Sequence, residues 1–178
     1  MKIIIALFLF ACAVDAAQFK NYTMDNMYFT CKYPQGFKIE RDKEKDIKNS
    51  IYKVVFSNPK DNTSITIKYY GEKSGKDYKS FIENQSKTGD GKLESATEKY
   101  EKVKEIKLLN RDAFEIDRKL KEFESIEAKS SSYWLKERII VLPAKKGFYA
   151  LIFSSKEENF DKYSDIFDKV IKSLKVRY

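Results

Sequence analysis

The residues that most enzymes use for acid–base chemistry are poorly represented in this chain of 178 residues, which contains no histidine. Histidine is the usual general base near neutral pH and the commonest transition-metal ligand. The serines at 130–132 therefore have no such base to activate them, and the Gly-Asp-Gly-Lys segment at 89–92 lacks the glycine spacing and the following Ser or Thr of a P-loop. These absences exclude most hydrolase and zinc-site schemes. We predict a protein that is not an enzyme, with no catalytic residue and no cofactor.

Two carboxylates, Glu115 and Asp117, are the best candidates for chemistry that needs a pair of acidic groups. They stand two residues apart in a segment that reads as a strand, so both side chains lie on the same face. Such a pair could transfer protons or hold a divalent cation, but a solvated sheet surface is the more common setting and is expected here. The segment Asp61-Asn62-Thr63-Ser64 could offer oxygens to calcium, yet its composition is more simply that of a hairpin turn. We therefore assign no metal ligands.

The chain has two cysteines, Cys12 and Cys31. Cys31 lies in the alternating segment 27–33 and is predicted to share a strand face with Met27, Phe29 and Tyr33, as a small buried hydrophobic residue. A reactive thiol or an intermolecular disulfide is the alternative, although no cation is clearly placed to lower the pKa of Cys31. Because Cys12 falls in a leader segment, no intrachain disulfide is expected.

Residues 1–17 have the layout of a secretory signal peptide. Lys2 precedes an apolar run from Ile3 to Phe10, and small residues follow up to Ala17. The apolar run is too short to span a bilayer. We predict cleavage near Ala17 and a periplasmic or secreted protein. The alternative is a lipid anchor on Cys12, with peripheral membrane association, although the bulky Phe10 fits a lipoprotein signal poorly.

Composition after the leader indicates one domain, residues 18–178, large enough to bury a core. The formal charge of +8 is spread over segments of alternating sign, such as 98–105, which indicates a solvated face. Lysine greatly outnumbers arginine, the residue favoured for reading bases, so nucleic acid is not an expected partner.

Trp134, flanked by Tyr133, could join Tyr69 and Tyr149 in an exposed partner-binding patch, but half-buried packing in the sheet is the expectation.

Hydrophobic periodicity predicts short strands interrupted by two helices. In the segment 113–123, Phe114, Ile116 and Leu120 are predicted to face the core and the intervening charged residues, Lys119 and Lys121 among them, to face water. The first helix is predicted over 75–87 with Ser74 as its N-cap, and the last after a capping box formed by Ser155 and Glu158. The charged segment 42–50 is predicted to be a loop. The predicted strands are 27–33, 37–41, 52–57, 65–69, 102–109, 113–123, 133–142 and 148–153, with the last two central.

The order of these signals resembles a known superfamily. The resemblance rests on the Tyr-Pro-Gln-Gly-Phe turn at 33–37, Phe56 to Pro59, the segment 109–114, and the Phe-x-x-Tyr-x-x-x-Phe helix from Phe160 to Phe167. This superfamily includes PsbP-type photosystem subunits, DcrB-like periplasmic proteins and a yeast Ran-binding protein. The resemblance covers most of residues 25–176. It implies an α+β fold, with an antiparallel sheet covered by helices in an αβα sandwich, and proteins that dock to others without a shared enzymatic motif. The family's calcium or manganese ligands match no positions here.

These observations predict an exported, non-enzymatic domain that docks to another component of the cell envelope. The alternative is a small-ligand or divalent-cation binding module that uses the cleft between helices and sheet. The sequence identifies no partner-binding residues, no partner and no oligomeric state.

Overall fold

The structure, a computed structural model, describes residues 18–87, 93–123 and 131–177. In these ranges the chain forms twelve strands and three α-helices. No described helix combines the length and the apolar character needed to cross a bilayer. The strands are β1 (Phe19–Thr23), β2 (Phe29–Pro34), β3 (Lys38–Glu40), β4 (Ile51–Asn58), β5 (Thr63–Tyr70), β6 (Leu93–Glu94), β7 (Glu98–Tyr100), β8 (Lys104–Leu108), β9 (Arg111–Phe123), β10 (Ser132–Ala144), β11 (Gly147–Lys156) and β12 (Lys175–Val176). The helices are α1 (Lys43–Asn49), α2 (Tyr78–Ser86) and α3 (Glu157–Ser173).

The strands form one large and one small antiparallel sheet. The large sheet has the order β3-β4-β5-β11-β10-β9-β7-β6, and β8 pairs with β9 as well. The small sheet has the order β1-β2-β12. The α+β class is therefore confirmed, and β10 and β11 are central strands as predicted. The leader, 1–17, lies outside the described residues.

Tight turns join three pairs of strands that are consecutive in the chain. Between β4 and β5 the chain makes a 3-10 turn over Pro59–Asp61 and then passes through Asn62, whose φ is 46°. Between β8 and β9, Leu109 and Asn110 have φ values of 52° and 59°, as a two-residue hairpin turn requires. The β10–β11 turn closes at Gly147, where φ is 104°.

Helix α3 and the small sheet cover one face of the large sheet. The apolar stripe of α3 packs on Phe153 of β11, whose ring lies 4.6 Å from that of Phe160 and 5.3 Å from that of Phe167. Each large apolar side chain buried in this way stabilises the fold by roughly 1.5–3 kcal/mol before entropy is counted. The predicted packing of the last helix is confirmed. Its buried residues are Phe160, Tyr163, Phe167, Val170 and Ile171.

Helix α2 covers the opposite face. Tyr78, Phe81 and Ile82 pack against a second cluster that includes Tyr70 and Phe148, and the rings of Phe81 and Phe148 lie 5.3 Å apart. With α3 on the other side, the sheet is enclosed between helices. This is the αβα arrangement that the resemblance implies.

The segment 42–50 was predicted to be a loop, and this prediction is wrong because the segment contains α1. Asp42 caps the helix by accepting a hydrogen bond from the Lys45 N–H at 3.0 Å. Asp46 is buried, and its two carboxylate oxygens accept hydrogen bonds from Arg41 Nε at 2.9 Å and from the Lys53 N–H at 3.0 Å. Polar contacts rather than an apolar stripe hold α1, so hydrophobic periodicity does not reveal it.

Both predicted N-caps are also wrong. Helix α2 begins at Tyr78, and Asp77 caps it by accepting the Ser80 N–H at 3.0 Å. Ser74 instead ends a separate 3-10 turn. Ser155 lies buried inside β11, where its hydroxyl is 2.8 Å from that of Thr63, and α3 follows without a side-chain cap.

The first predicted strand, 27–33, begins at Phe29 in the structure, two residues later than predicted. This shift changes which side chains share a face. Phe29 and Cys31 are buried in β2 as predicted. Met27 does not share their face, because it precedes the strand with a φ of 50° and is 68% exposed. In the segment 98–105 the charged residues are exposed or half-buried, whereas Tyr100 of β7 is buried.

Candidate functional site

The face of the large sheet beneath α3 divides into an apolar half and a charged half. Strands β4, β5 and β11 contribute the apolar half, which α3 and the small sheet cover together. The charged half extends over β7 to β10, beyond the flank of α3. Strand alternation and register place its side chains on one face. We call this surface the charged sheet face; it comprises Lys99, Lys104, Glu115, Asp117, Lys119, Lys136 and Arg138.

Glu115 and Asp117 share this face, as predicted, but the expectation of a solvated surface is wrong for Glu115. The Glu115 residue is only 9% exposed, and its carboxylate accepts a hydrogen bond from Arg138 Nε at 2.6 Å. Arg138 Nη1 donates a second one to Asp168 of α3 at 2.9 Å. The approach of α3 thus encloses an ion-paired group that alternation alone would assign to water.

Asp117 is paired as well. Lys104 Nζ lies 2.8 Å from its carboxylate and 3.5 Å from that of Glu115, and the hydrogen bond that Lys104 donates to Asp117 raises the pKa of Lys104. Both of the predicted carboxylates are therefore paired with lysine or arginine side chains. In the described part of the chain, no group of three Asp, Glu, Cys or His side chains could hold a metal ion.

Three lysines cross the charged sheet face in a single row. Lys119 stands directly opposite Lys99 of β7 on one side and Lys136 of β10 on the other. Lys119 pairs with Glu157 at 2.5 Å, and Lys99 pairs with Glu94 at 2.5 Å. Lys136 Nζ instead lies 4.1 Å from the ring centroid of Phe160 in α3. Two of the three lysines are thus paired with carboxylates, and the third contacts an aromatic ring.

A cleft opens over this row. Its volume is about 400 Å³, and α3 forms one wall through Phe160. Charged side chains dominate the lining, with acidic residues between the lysines. The lining residues are Glu94, Lys99, Glu101, Asp117, Arg118, Lys119, Lys136 and Phe160.

The aromatic residues singled out from the sequence do not form one patch. Trp134 is half-buried, as expected, next to the lysine row, with Lys99 Nζ 5.4 Å from its ring centroid. Tyr133 points to the opposite face, where Lys156 Nζ lies 4.4 Å from its ring. Tyr69 and Tyr149 are buried in the core, with ring centroids 4.8 Å apart.

The remaining candidates serve the fold. Cys31 is 3% exposed, and burial raises its pKa to about 12, so its thiol is protonated and unreactive near neutral pH. Asp61, in the predicted hairpin turn, accepts hydrogen bonds from Tyr163 and Lys162, which lower its pKa. The segment 89–92, Ser130 and Cys12 lie outside the described residues.

Sequence reasoning missed the roles of Arg138, Lys99 and Lys136. Alternation within β10 places Lys136 and Arg138 on one face, and this signal is present in the sequence. Their positions opposite Lys119 and beside Glu115 depend on the register of three strands, which local patterns do not specify.

The sequence matches the PsbP family over residues 17–176. The chain belongs to the PsbP family. This membership confirms the resemblance drawn from the turn at 33–37 and the closing helix. Among curated proteins, none matches the sequence.

Three solved structures share the fold of this PsbP-family chain. Cyanobacterial PsbP (CyanoP) from Synechocystis sp. PCC 6803 has a TM-score of 0.52 at 14% identity, over 93% of this chain and 96% of that one. The Ran-binding protein Mog1p of Saccharomyces cerevisiae also has a TM-score of 0.52, at 10% identity over 90% and 96% of the two chains. A Bacteroides thetaiotaomicron protein scores 0.52 at 16% identity over 90% of this chain, which spans only 49% of that longer one.

Proposed function

We propose that this protein is an exported, non-enzymatic binding domain, residues 18–178, that docks to another protein of the cell envelope through the charged sheet face. The observation that carries the proposal is the row formed by Lys99, Lys119 and Lys136, which is bordered by half-buried Trp134. Charges on such a surface steer association with a partner surface of complementary charge. Tryptophan and arginine are the side chains most often responsible for binding energy at protein interfaces, and Trp134 and Arg138 occupy the two sides of the row.

The chemistry of the described residues supports binding rather than catalysis. Glu115 and Asp117 are held in ion pairs, Cys31 is buried, and the sequence has no histidine. A protein-binding role is also supported by the shared fold with Mog1p, a Ran-binding protein. No partner identity is transferred from that similarity.

Export is supported by two boundaries that coincide. The PsbP match begins at residue 17, where the predicted leader ends, and β1 begins at Phe19, so cleavage near Ala17 would leave every described strand intact. If Cys12 is lipidated instead, residues 13–17 would hold the domain within about 20 Å of the membrane surface. Mass spectrometry of the intact protein recovered from the envelope distinguishes a chain beginning at Ala17 or Gln18 from one beginning at an acylated Cys12. Recovery of the uncleaved precursor from the cytosol would contradict export.

Docking is tested by neutralising the lysine row. The triple variant Lys99→Gln/Lys119→Gln/Lys136→Gln removes three positive charges from the charged sheet face. The matched control Lys73→Gln/Lys76→Gln/Lys79→Gln removes the same charge from three exposed lysines at and before α2. Cross-linking in intact cells, followed by affinity capture at low and high salt, is carried out with wild type and both variants.

We expect wild type and the α2 control to retain the same envelope protein, and the lysine-row variant to lose it. Retention should weaken as salt is raised, because exposed charges are screened beyond about 10 Å at 0.1 M salt. Equal capture by all three proteins, or no specific capture by wild type even at low salt, would overturn the proposal.

A further inference from the structure

Two lysines face each other on the opposite side of the large sheet, away from the charged sheet face. Lys53 of β4 and Lys68 of β5 are direct cross-strand partners. Their neighbours Val54 and Ile67 point to the core beneath α3, so both lysines point to the face that carries α2. Side chains in such pairs have Cβ atoms only about 5 Å apart, and like charges at that distance destabilise a sheet. This arrangement calls for a compensating negative group.

The described residues supply no such group. Lys68 is half-buried, and its pKa is lowered by burial and then by the charge of Lys53, against a weaker opposing effect of Glu137. Glu137 itself lies in a salt bridge with Arg118 at 2.5 Å. Among the residues that the structure describes, no carboxylate lies within ion-pair distance of either ammonium group.

The three carboxylates that border the same pocket as this lysine pair have other partners. Asp46 binds Arg41 and the backbone of Lys53. Glu40 accepts a hydrogen bond from the Ser57 hydroxyl at 3.1 Å. Asp42 caps α1. None of these carboxylates forms an ion pair with Lys53, which is exposed, or with half-buried Lys68.

A pocket of about 490 Å³ lies over the lysine pair, bordered by α1. This volume falls within the range of small-molecule sites, which combine apolar walls with a few placed polar groups. Here Tyr70, Ile51 and Val55 supply the apolar wall. Four cationic side chains and three carboxylates supply the charge: Arg41, Lys45, Lys53 and Lys68 against Glu40, Asp42 and Asp46. The site thus has one part suited to an anion and one suited to the carbon skeleton attached to it.

We propose that Lys53 and Lys68 bind the phosphate group of a phosphate monoester. A phosphate monoester carries about −1.5 to −2 charge at pH 7 and three acceptor oxygens, so a single group can balance both lysines. Tyr70, Ile51 and Val55 contact the organic part. The phosphate can come from a soluble ester or from the headgroup of a lipid, and the experiment distinguishes these sources.

The test follows binding to the purified protein in two arms. In the soluble arm, the melting temperature and amide NMR shifts are measured with glycerol 3-phosphate at up to about 10 mM, a range that detects millimolar affinity, against chloride at equal ionic strength. In the lipid arm, sedimentation is measured with phosphatidylcholine vesicles with and without phosphatidic acid, whose headgroup is a phosphate monoester. The variants are Lys68→Met and Lys53→Met, with Lys76→Met as an exposed control.

We expect the phosphate ester to raise the melting temperature of wild type and of Lys76→Met, because a ligand that binds only the folded state stabilises it. Lys68→Met and Lys53→Met should weaken binding about tenfold or more, the effect of losing one charge-assisted hydrogen bond. Without ligand, Lys68→Met should melt at or above the wild-type temperature, since it removes a desolvated charge; this readout separates lost binding from lost folding. Lysine-dependent binding in the lipid arm alone assigns the phosphate to a membrane lipid.

No binding in either arm, or equal binding by Lys68→Met and wild type, would overturn the proposal. The proposal is independent of docking through the charged sheet face, because the two surfaces lie on opposite sides of the sheet. The variant Lys99→Gln/Lys119→Gln/Lys136→Gln should bind the phosphate ester as wild type does, so failure of one proposal leaves the other measurable.

Discussion

Arg138 lies between Glu115 and Asp168 and joins the charged sheet face to the closing helix. Its Nε is 2.6 Å from a Glu115 oxygen, and its Nη1 is 2.9 Å from Asp168. The Glu115 side chain is 11% exposed and that of Arg138 26%. Losing one partner of an ion pair so far removed from water destabilises the fold more than losing one partner of an exposed pair. The surface proposed for docking therefore shares an arginine with the packing of α3.

Replacing Arg138 should destabilise the protein. Arg138→Met leaves the Glu115 carboxylate half-paired, with only Lys104 at 3.5 Å, and should lower the free energy of unfolding by about 2 kcal/mol. Urea denaturation measures the change. The control Lys107→Met breaks the Lys107–Asp112 pair, whose side chains are 73% and 82% exposed, and should cost less than about 0.5 kcal/mol. Equal losses in the two variants would contradict this account of Arg138.

The sequence predicts the elements that bury an apolar stripe. Strands β4, β5, β10 and β11 alternate or are continuously apolar, and α3 repeats its large residues at helical spacing, so both periodicities are visible. Helix α1 is missed because Asp42 caps it and Arg41 pairs with its buried Asp46. Such contacts depend on which polar group lies nearby in the fold, and a charged segment does not show this.

The candidate site is predictable only in part for a related reason. Alternation along β9 places Glu115, Asp117 and Lys119 on one face, and this is confirmed. The burial of Glu115 results from the approach of α3. The alignment of Lys119 with Lys99 and Lys136 results from strand register. Both are tertiary properties, set by contacts between residues far apart in the sequence.

Truncation of Phe167 should be among the most costly changes to the core. Phe167 is fully buried and packs against Phe153, so Phe167→Ala should lower the free energy of unfolding by about 3–5 kcal/mol through lost burial and the cavity left behind. Thermal and urea unfolding measure the loss. Phe123, the last residue of β9, is 56% exposed, and Phe123→Ala should change stability by about 0.5 kcal/mol or less. A cost below about 1 kcal/mol for Phe167→Ala would show that α3 is not packed as described.

Two turn glycines should differ sharply in their tolerance of alanine. Gly147 and Gly36 have similar φ values of 104° and 98°, so each substitution incurs a similar backbone strain, on the order of 1–3 kcal/mol. At Gly147 an added Cβ would also lie 1.9 Å from the Tyr70 carbonyl oxygen, whereas at Gly36 it meets nothing within 4 Å. Gly147→Ala should therefore cost at least about 2 kcal/mol more than Gly36→Ala in urea unfolding. Similar costs would mean that β5 and the β10–β11 turn are farther apart than in this structure.

Cys31 should make stability fall with pH in the alkaline range. Burial raises its pKa from about 9 to about 12 in the folded state, so between these values the unfolded chain has lost a proton that the folded chain retains. The stabilisation is complete below pH 9 and is lost by about 1.4 kcal/mol per pH unit as the pH rises towards 12. Cys31→Val removes this titration while keeping a buried side chain of similar size. Because the tyrosines titrate in both proteins, the difference in unfolding free energy between wild type and Cys31→Val, followed by urea denaturation from pH 7 to 11, isolates the thiol. This difference should be constant below pH 9, and above pH 9 wild type should lose stability relative to Cys31→Val. A difference that stays constant to pH 11 would mean that water reaches Cys31 in the folded protein.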